Sequence, residues 1–343
     1  MYSFKNDYSE GAHPRIIDAL VKGNLEQTDG YGRDPHSENA ARLIKKKINR
    51  QDVDVHLLVG GTQTNLTVIT AALRPHQAVI AVQTGHVCLH ETGAIEATGH
   101  KVVAMTADDG KLTPALIQSA VDAHTDEHMV QPKLVYISHS SELGTIYSKA
   151  ELEAIRTVCD ANGLYLFVDG ARLASALTAQ TADITLPDLA RLADVFYLGG
   201  TKSGALFGEA LVIVNDALKP DFRFLIKQRG GMLAKGRLLG IQFECLFADD
   251  LYLELGVHAN RMAMRLKDAF TAAGVSMLSD SYTNQQFPIL PDTLIEKLRQ
   301  DYKFEIQQKL ENGMTAVRFV TSWATVSSEV DAFIACFNKL IKH

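Results

Sequence analysis

The chain reads as a mixed α/β protein: a large, mostly parallel sheet with helices on both faces, followed by a small C-terminal α+β unit. Three observations predict this. Short apolar runs alternate with helical patterns from about residue 53 to residue 214, the mark of β-α-β units. Polar or glycine-rich clusters fall directly after several of these runs, where an open α/β sheet presents its ligands. The length, 343 residues, suits two units of ordinary domain size. Residues 1–250, including an N-terminal helical segment, are expected to form the larger unit and residues 251–343 the smaller.

The elements follow in order. Ile16, Ile17, Leu20 and Val21 mark one face of a first helix, with Pro14 in its opening turn. After the polar loop Asp29–Pro35, residues Ala40, Leu43, Ile44 and Ile48 mark a second helix. Val53–Val59 reads as a strand, Asn65–Leu73 as a helix and Ala78–Val82 as a strand. A short helix at Thr92–Thr98, a strand at Lys101–Met105, a helix at Pro114–His124 and a strand at Lys133–Ser138 come next. Ser148 and Glu151 form a capping box, opening a helix that buries Leu152, Ile155 and Cys159 and stops at Gly163. Strands Leu164–Val168 and Val195–Leu198 end at Asp169 and at Gly199–Gly200, and Ala210–Val214 reads as an antiparallel partner of the second. A long helical stretch, Leu238–Ala273, leads to the smaller unit. There a strand near Gln286–Ile289, a helix at Asp292–Tyr302 and strands at Lys303–Leu310 and Ala316–Val320 are expected. A last helix carries Val330, Phe333, Ile334, Phe337 and Ile341 on one face.

Composition narrows the function. With 46% hydrophobic and 22% charged residues, the chain is neither disordered nor collagen-like. A net charge of −6 gives no general electrostatic reason to hold nucleic acid or an anionic membrane. Cys88, Cys159, Cys245 and Cys336 are scattered, which argues against a zinc cluster or a disulfide framework and for reduced thiols in the cytoplasm. Met1–Asp7 lacks the apolar core of a signal peptide. The longest uncharged stretch, His56–Leu73, is interrupted by Gly60–Asn65 and is no membrane span. No metal, nucleic-acid or membrane partner is expected.

Four clusters carry chemistry. Gly60-Gly-Thr62, between a strand and a helix, lets the backbone approach an anion that the helix N-terminus and the Thr62 hydroxyl can hold. It lacks a P-loop lysine and the G-x-G-x-x-G fingerprint, which disfavours a nucleotide or nicotinamide site. In Val168-Asp-Gly-Ala-Arg172, Asp169 can keep a pyridinium nitrogen protonated, and Arg172 offers a fork for a carboxylate. In Gly199-Gly-Thr-Lys-Ser-Gly204, Lys202 suits a desolvated Schiff-base nucleophile. His86, after the strand ending at Val82, can stack on a flat ring or move protons. An anion cup, a partner for a ring nitrogen, an amine for an aldehyde and a flat side chain are together what pyridoxal 5′-phosphate requires.

In this combination and order, the sequence resembles the threonine aldolase/aromatic amino acid β-eliminating lyase family of fold-type-I pyridoxal-phosphate enzymes. The resemblance runs from Asn6-Asp7 through Asp29-Gly-Tyr-Gly-Arg-Asp-Pro35 to Val317-Arg-Phe-Val-Thr-Ser-Trp323. It implies that Lys202 carries the cofactor covalently, Asp169 pairs with its ring nitrogen and His86 stacks on the ring. It implies that Gly60, Gly61 and Thr62 cradle the phosphate, with Thr201 beside them, and that Arg172 and Arg318 hold the substrate carboxylate. Tyr31 would then approach from a neighbouring subunit of a homodimer or homotetramer that shares its active sites.

Three positions depart from the family pattern. Asn6 stands where serine is common, near the substrate. Glu142 falls where many members have a second histidine, with His139 out of register. Leu233 replaces an arginine for the phosphate, a role for which Lys235 is the substitute. The implied reaction is retro-aldol cleavage of threonine or allo-threonine to glycine and acetaldehyde, with His86 or Glu142 as base. The alternative in the same fold is a β-eliminating lyase acting on another amino acid. A non-catalytic interaction protein is disfavoured, because the polar groups that catalysis needs are present.

Overall fold

The computed structural model describes residues 1–341. The chain begins with a two-residue strand, β1 (Tyr2–Ser3), and two helices, Pro14–Lys22 and Pro35–Lys47. Seven strands then build the central sheet: β2 (Asp54–Leu58), β3 (Gln77–Val82), β4 (Lys101–Met105), β5 (Gln131–Ser138), β6 (Tyr165–Asp169), β7 (Val195–Gly199) and β8 (Glu209–Ile213). Their order in space is β2-β8-β7-β6-β5-β3-β4. The run β4, β3, β5, β6, β7 is parallel, whereas β8 is antiparallel to both its neighbours. Helices cover both faces, so β6, β7 and β8 are buried almost throughout and read as continuous apolar runs.

The register fixes one end of this sheet. Glu209, the first residue of β8, lies opposite Leu58 of β2 on one side and Gly199 of β7 on the other. An antiparallel strand thus contributes its amino end where the parallel strands contribute their carboxyl ends.

The smaller unit contains β9 (Gln285–Gln286), β10 (Ile289–Pro291), β11 (Tyr302–Lys303), β12 (Glu305–Lys309) and β13 (Met314–Val320). Strands β9, β10 and β12 are all antiparallel to β13. Helices Leu251–Ala272 and Ser327–Leu340 help enclose a core that includes Phe270, Phe319, Phe333 and Phe337. Phe4, from the other end of the chain, is wholly buried in that core, 5.5 Å from the Phe333 ring and 5.9 Å from Phe319. Its backbone is tied in as well: Phe4 N donates to Lys303 O, and Val320 N donates to Phe4 O.

Several boundaries differ from the sequence reading. The helix expected from Asn65 begins earlier, at Gly61. Thr92–Thr98 is a turn ending in one 3-10 turn, Glu96–Thr98, because Thr92 and Gly93 take positive φ. The helical turn in this region lies instead at His86–Leu89. The stretch Leu238–Ala273 is two helices, Arg237–Ala248 and Leu251–Ala272. Asp250, with φ +60°, breaks it, since a right-handed helix admits no left-handed residue. The helix from Asp292 ends at Leu298, because Tyr302 and Lys303 pair with β1.

Candidate active site

A crevice of about 340 Å³ opens at the carboxyl end of the parallel strands. It brings together Gly60, Gly61, Thr62, His86, Glu142, Asp169, Arg172, Thr201 and Lys202. Gly60 and Gly61 join β2 to the helix Gly61–Ala72, whose first N–H groups have no intrahelical acceptor. Nothing lies within 4 Å of where a Gly60 Cβ would stand, so the missing side chain leaves room at this helix end.

The glycines of the next two motifs serve close approach. A Cβ on Gly170 would stand 1.8 Å from the Tyr197 carbonyl oxygen, and one on Gly199 would stand 2.4 Å from that of Ala171. Without side chains there, the turns after β6 and β7 touch, and Asp169 and Lys202 reach the same crevice. Asp169 Oδ1 accepts from Ala171 N at 2.9 Å, while Oδ2 accepts from the Tyr136 hydroxyl and from Asn65 Nδ2 at 3.2 Å. Three donors, one on β5, one on the helix Gly61–Ala72 and one in the turn after β6, orient this carboxylate. Burial, followed by the nearby Arg172 charge, holds the Lys202 ammonium below the usual lysine range, while Asp7, Asp169 and Glu209 act in the other direction.

His86 begins the short helix after β3, and its Nδ1 lies 2.8 Å from Glu91 Oε1. A carboxylate only accepts, so Nδ1 is the donor in this pair. The same Glu91 oxygen accepts from Asn65 Nδ2 at 2.7 Å. Asn65 therefore joins the His86–Glu91 pair to Asp169. Glu142 Oε1 accepts from His86 N at 2.9 Å and from Ser138 Oγ at 2.7 Å, and its Oε2 is buried without a partner. Burial pushes the Glu142 carboxyl above the usual glutamate range. His139 lies outside the crevice: its Nδ1 accepts from Tyr147 N, and burial lowers its pKa to about 4, leaving it neutral.

Arg172 donates from Nε to Asp7 Oδ2 at 2.7 Å and from Nη2 to Asp7 Oδ1 at 3.1 Å. Arg318, on β13, has a buried Nε without a partner, and burial and the Arg172 charge lower its pKa. Asn6 turns away into a local bend, its Oδ1 accepting from Tyr8 N and Ser9 Oγ. Tyr31 and Lys235 are not brought to this crevice within one chain. They sit together on an outer pair of loops, where Tyr31 N donates to Ala234 O, and both are exposed.

Three residues at the site escaped the sequence reading. Glu209 lines the crevice, with Oε1 accepting from Thr201 Oγ1 at 3.0 Å and Oε2 from Gly200 N at 3.2 Å. Glu91 is hydrogen-bonded to His86, and Asp7 to Arg172. The acidic residue opening an apolar strand, Gly208-Glu209-Ala-Leu-Val, was the one local signal for Glu209. Asp7 and Glu91 have no such mark.

The sequence matches the beta-eliminating lyase family over residues 10–293. It is 31% identical to a low specificity L-threonine aldolase of Pseudomonas aeruginosa, covering 94% of this chain and 93% of that protein. A counterpart in Saccharomyces cerevisiae is 26% identical, over 94% of this chain and 84% of its own length. Among solved structures, a threonine aldolase of Leishmania major superposes with a TM-score of 0.99 at 54% identity, covering 99% of this chain and all of that one. An aspartate aminotransferase of Thermus thermophilus shares the fold at a TM-score of 0.73 and 15% identity, over 99% of this chain and 91% of its own. The fold is that of the fold-type-I pyridoxal-phosphate enzymes. The chain belongs to the threonine aldolase/beta-eliminating lyase family and is a lyase.

That family implies pyridoxal 5′-phosphate, and the crevice fits it. An amine of lowered pKa, a triply bonded carboxylate and a glycine-lined helix end stand around one space. Among the described residues, no helix is long and apolar enough to cross a membrane.

Proposed function

We infer that the chain cleaves threonine or allo-threonine, β-hydroxy-α-amino acids, to glycine and acetaldehyde with pyridoxal 5′-phosphate as cofactor. The observation that carries this reading is the convergence of Lys202, Asp169, His86 and Glu142 on one crevice. When bound, the cofactor supplies the electron sink for the charge left on Cα as the Cα–Cβ bond breaks.

The chain supplies the rest. Lys202 Nζ anchors the cofactor covalently, and its lowered pKa makes the neutral, nucleophilic amine accessible. Asp169 would hold a proton on the ring nitrogen, and the His86 imidazole would be the flat side chain for the ring. Gly60, Gly61, Thr62 and Thr201 hold the phosphate. Arg172 and Arg318 would hold the substrate carboxylate and so orient the Cα–Cβ bond for cleavage. Glu142 takes the β-hydroxyl proton as the aldehyde leaves, its raised pKa suiting both uptake and return of that proton. His86 Nε2 is the second candidate for this step. Asn6 is next in sequence to Asp7 and remains a candidate for the substrate, although its side chain is engaged in the local bend.

Tyr31 and Lys235 serve a neighbouring copy's crevice in this reading, since they stand together on an outer surface away from their own. That makes the working form a homodimer or homotetramer. Free thiols at Cys88, Cys159, Cys245 and Cys336 accord with a cytoplasmic enzyme.

The test is product analysis over a panel of β-hydroxy-α-amino acids. Glycine plus an aldehyde supports the reading. A keto acid with ammonia would replace it by β-elimination. Lys202→Ala is expected to purify without the visible absorbance of the cofactor and without activity.

A further inference from the structure

The Arg172 guanidinium offers two edges to a carboxylate: the side edge, Nε with Nη2, and the end edge, Nη1 with Nη2. Asp7 occupies the side edge through both of its oxygens, at 2.7 and 3.1 Å. We propose that Asp7 is a positioning residue for substrate binding: it holds Arg172 by the side edge, so that the end edge faces the carboxylate of an α-amino acid. The proposal rests on the reading of Arg172 as a substrate ligand and extends it.

Asp7 is built to hold still. Its side chain is completely buried, and Asn284 Nδ2 donates to Oδ2 at 2.9 Å. The three residues between β1 and Asp7 include Phe4, locked in the core of the smaller unit. Asp7 is thus anchored next to that unit's core, whereas Arg172 follows β6 of the central sheet. Arg318, also on the smaller unit, lies close enough for the Arg172 charge to lower its pKa, second to burial. Burial opposes the charge on Asp7, but Arg172 and Lys202 more than offset it, so Asp7 stays ionised. A mostly buried arginine needs such a partner, and a rotamer fixed on one edge loses little freedom when the other is used.

The test compares holoenzymes of the wild type, Asp7→Asn and Arg172→Lys. Each is titrated with glycine and with methylamine, an amine that lacks the carboxylate, and binding is read from the visible absorbance. Asp7→Asn is expected to reduce the preference for glycine over methylamine at least tenfold, with methylamine binding and the cofactor spectrum within twofold of wild type. Arg172→Lys is expected to do the same. If Arg172→Lys loses the preference and Asp7→Asn keeps it, the positioning role is overturned and the reading of Arg172 survives. If Arg172→Lys keeps it, both fall. Tighter glycine binding in Asp7→Asn would make Asp7 a competitor for Arg172 and overturn the proposal. Should Asp7→Asn not accumulate as holoenzyme, Asn284→Ala decides: a severalfold fall in the preference supports the role, and an unchanged preference overturns it.

Discussion

Gly199 and Glu209 lie opposite each other across the antiparallel pair β7–β8, which brings a buried carboxyl to the sheet end that carries Lys202. Glu209 is held there by Gly200 N and Thr201 Oγ1, both within the lysine motif. Burial pushes its pKa up to about 8, against the lowering effect of the Thr201 hydrogen bond and the Lys202 charge.

A carboxyl whose pKa is raised on folding binds its proton more tightly in the folded chain than in the unfolded one. Its contribution is full below the ordinary value of 4.5 and is lost as the pH rises to about 8. The wild type is thus expected to lose stability relative to Glu209→Gln across this interval, measured as Tm at several pH values. A constant difference between the two proteins would refute the assignment.

Glu142→Gln tests the base. The variant keeps the hydrogen-bonding shape but cannot take a proton, so turnover of threonine should fall by about 10²–10⁴-fold. If Glu142 is the base it must be ionised, and wild-type kcat/KM should rise with pH along a limb lying above the usual glutamate value. That limb should vanish in the variant, with the cofactor spectrum intact.

A purely structural pair serves as a contrast. Asp194 Oδ2 accepts from Arg156 Nη1 and from Leu166 N, both at 2.7 Å, and Oδ1 accepts from Asn215 Nδ2. Asp194→Ala leaves the mostly buried Arg156 with only the exposed Asp160 as a charged partner and should cost about 3–5 kcal/mol in urea unfolding. Specific activity of the folded fraction should stay near wild type.

Phe4→Ala should cost about 3–5 kcal/mol, as expected for an aromatic ring removed from a close-packed core. Because the Phe4 backbone and Asp7 share one short segment, KM for threonine should rise more than the cofactor's dissociation constant. Steady-state kinetics beside a cofactor titration would separate the two.

Much of this fold is legible in the sequence. Buried strands announce themselves as apolar runs, and the polar residues that end them, Asp169 and Gly199 before Lys202, mark the ligand side of a parallel sheet. Glu209 was hidden because that rule looks only at carboxyl ends, and the residue opens a strand that runs the other way. Asp7 was hidden because its partner is 165 residues distant, and nothing local distinguishes a buried aspartate from a turn aspartate. The break at Asp249–Asp250 was missed because apolar periodicity runs through it, although the backbone does not.

The bonds from Asp7 to Arg172 and to Asn284 span 165 and 277 positions of the chain. Contacts of such span close late, after the loops between them have been ordered. During synthesis, β2 to β8, with the glycine cup, Asp169 and Lys202, can assemble while Asn284 and Arg318 are still unmade. A nascent chain would therefore acquire its grip on the vitamin-derived group before its grip on the amino acid, and selectivity would be the last property to mature.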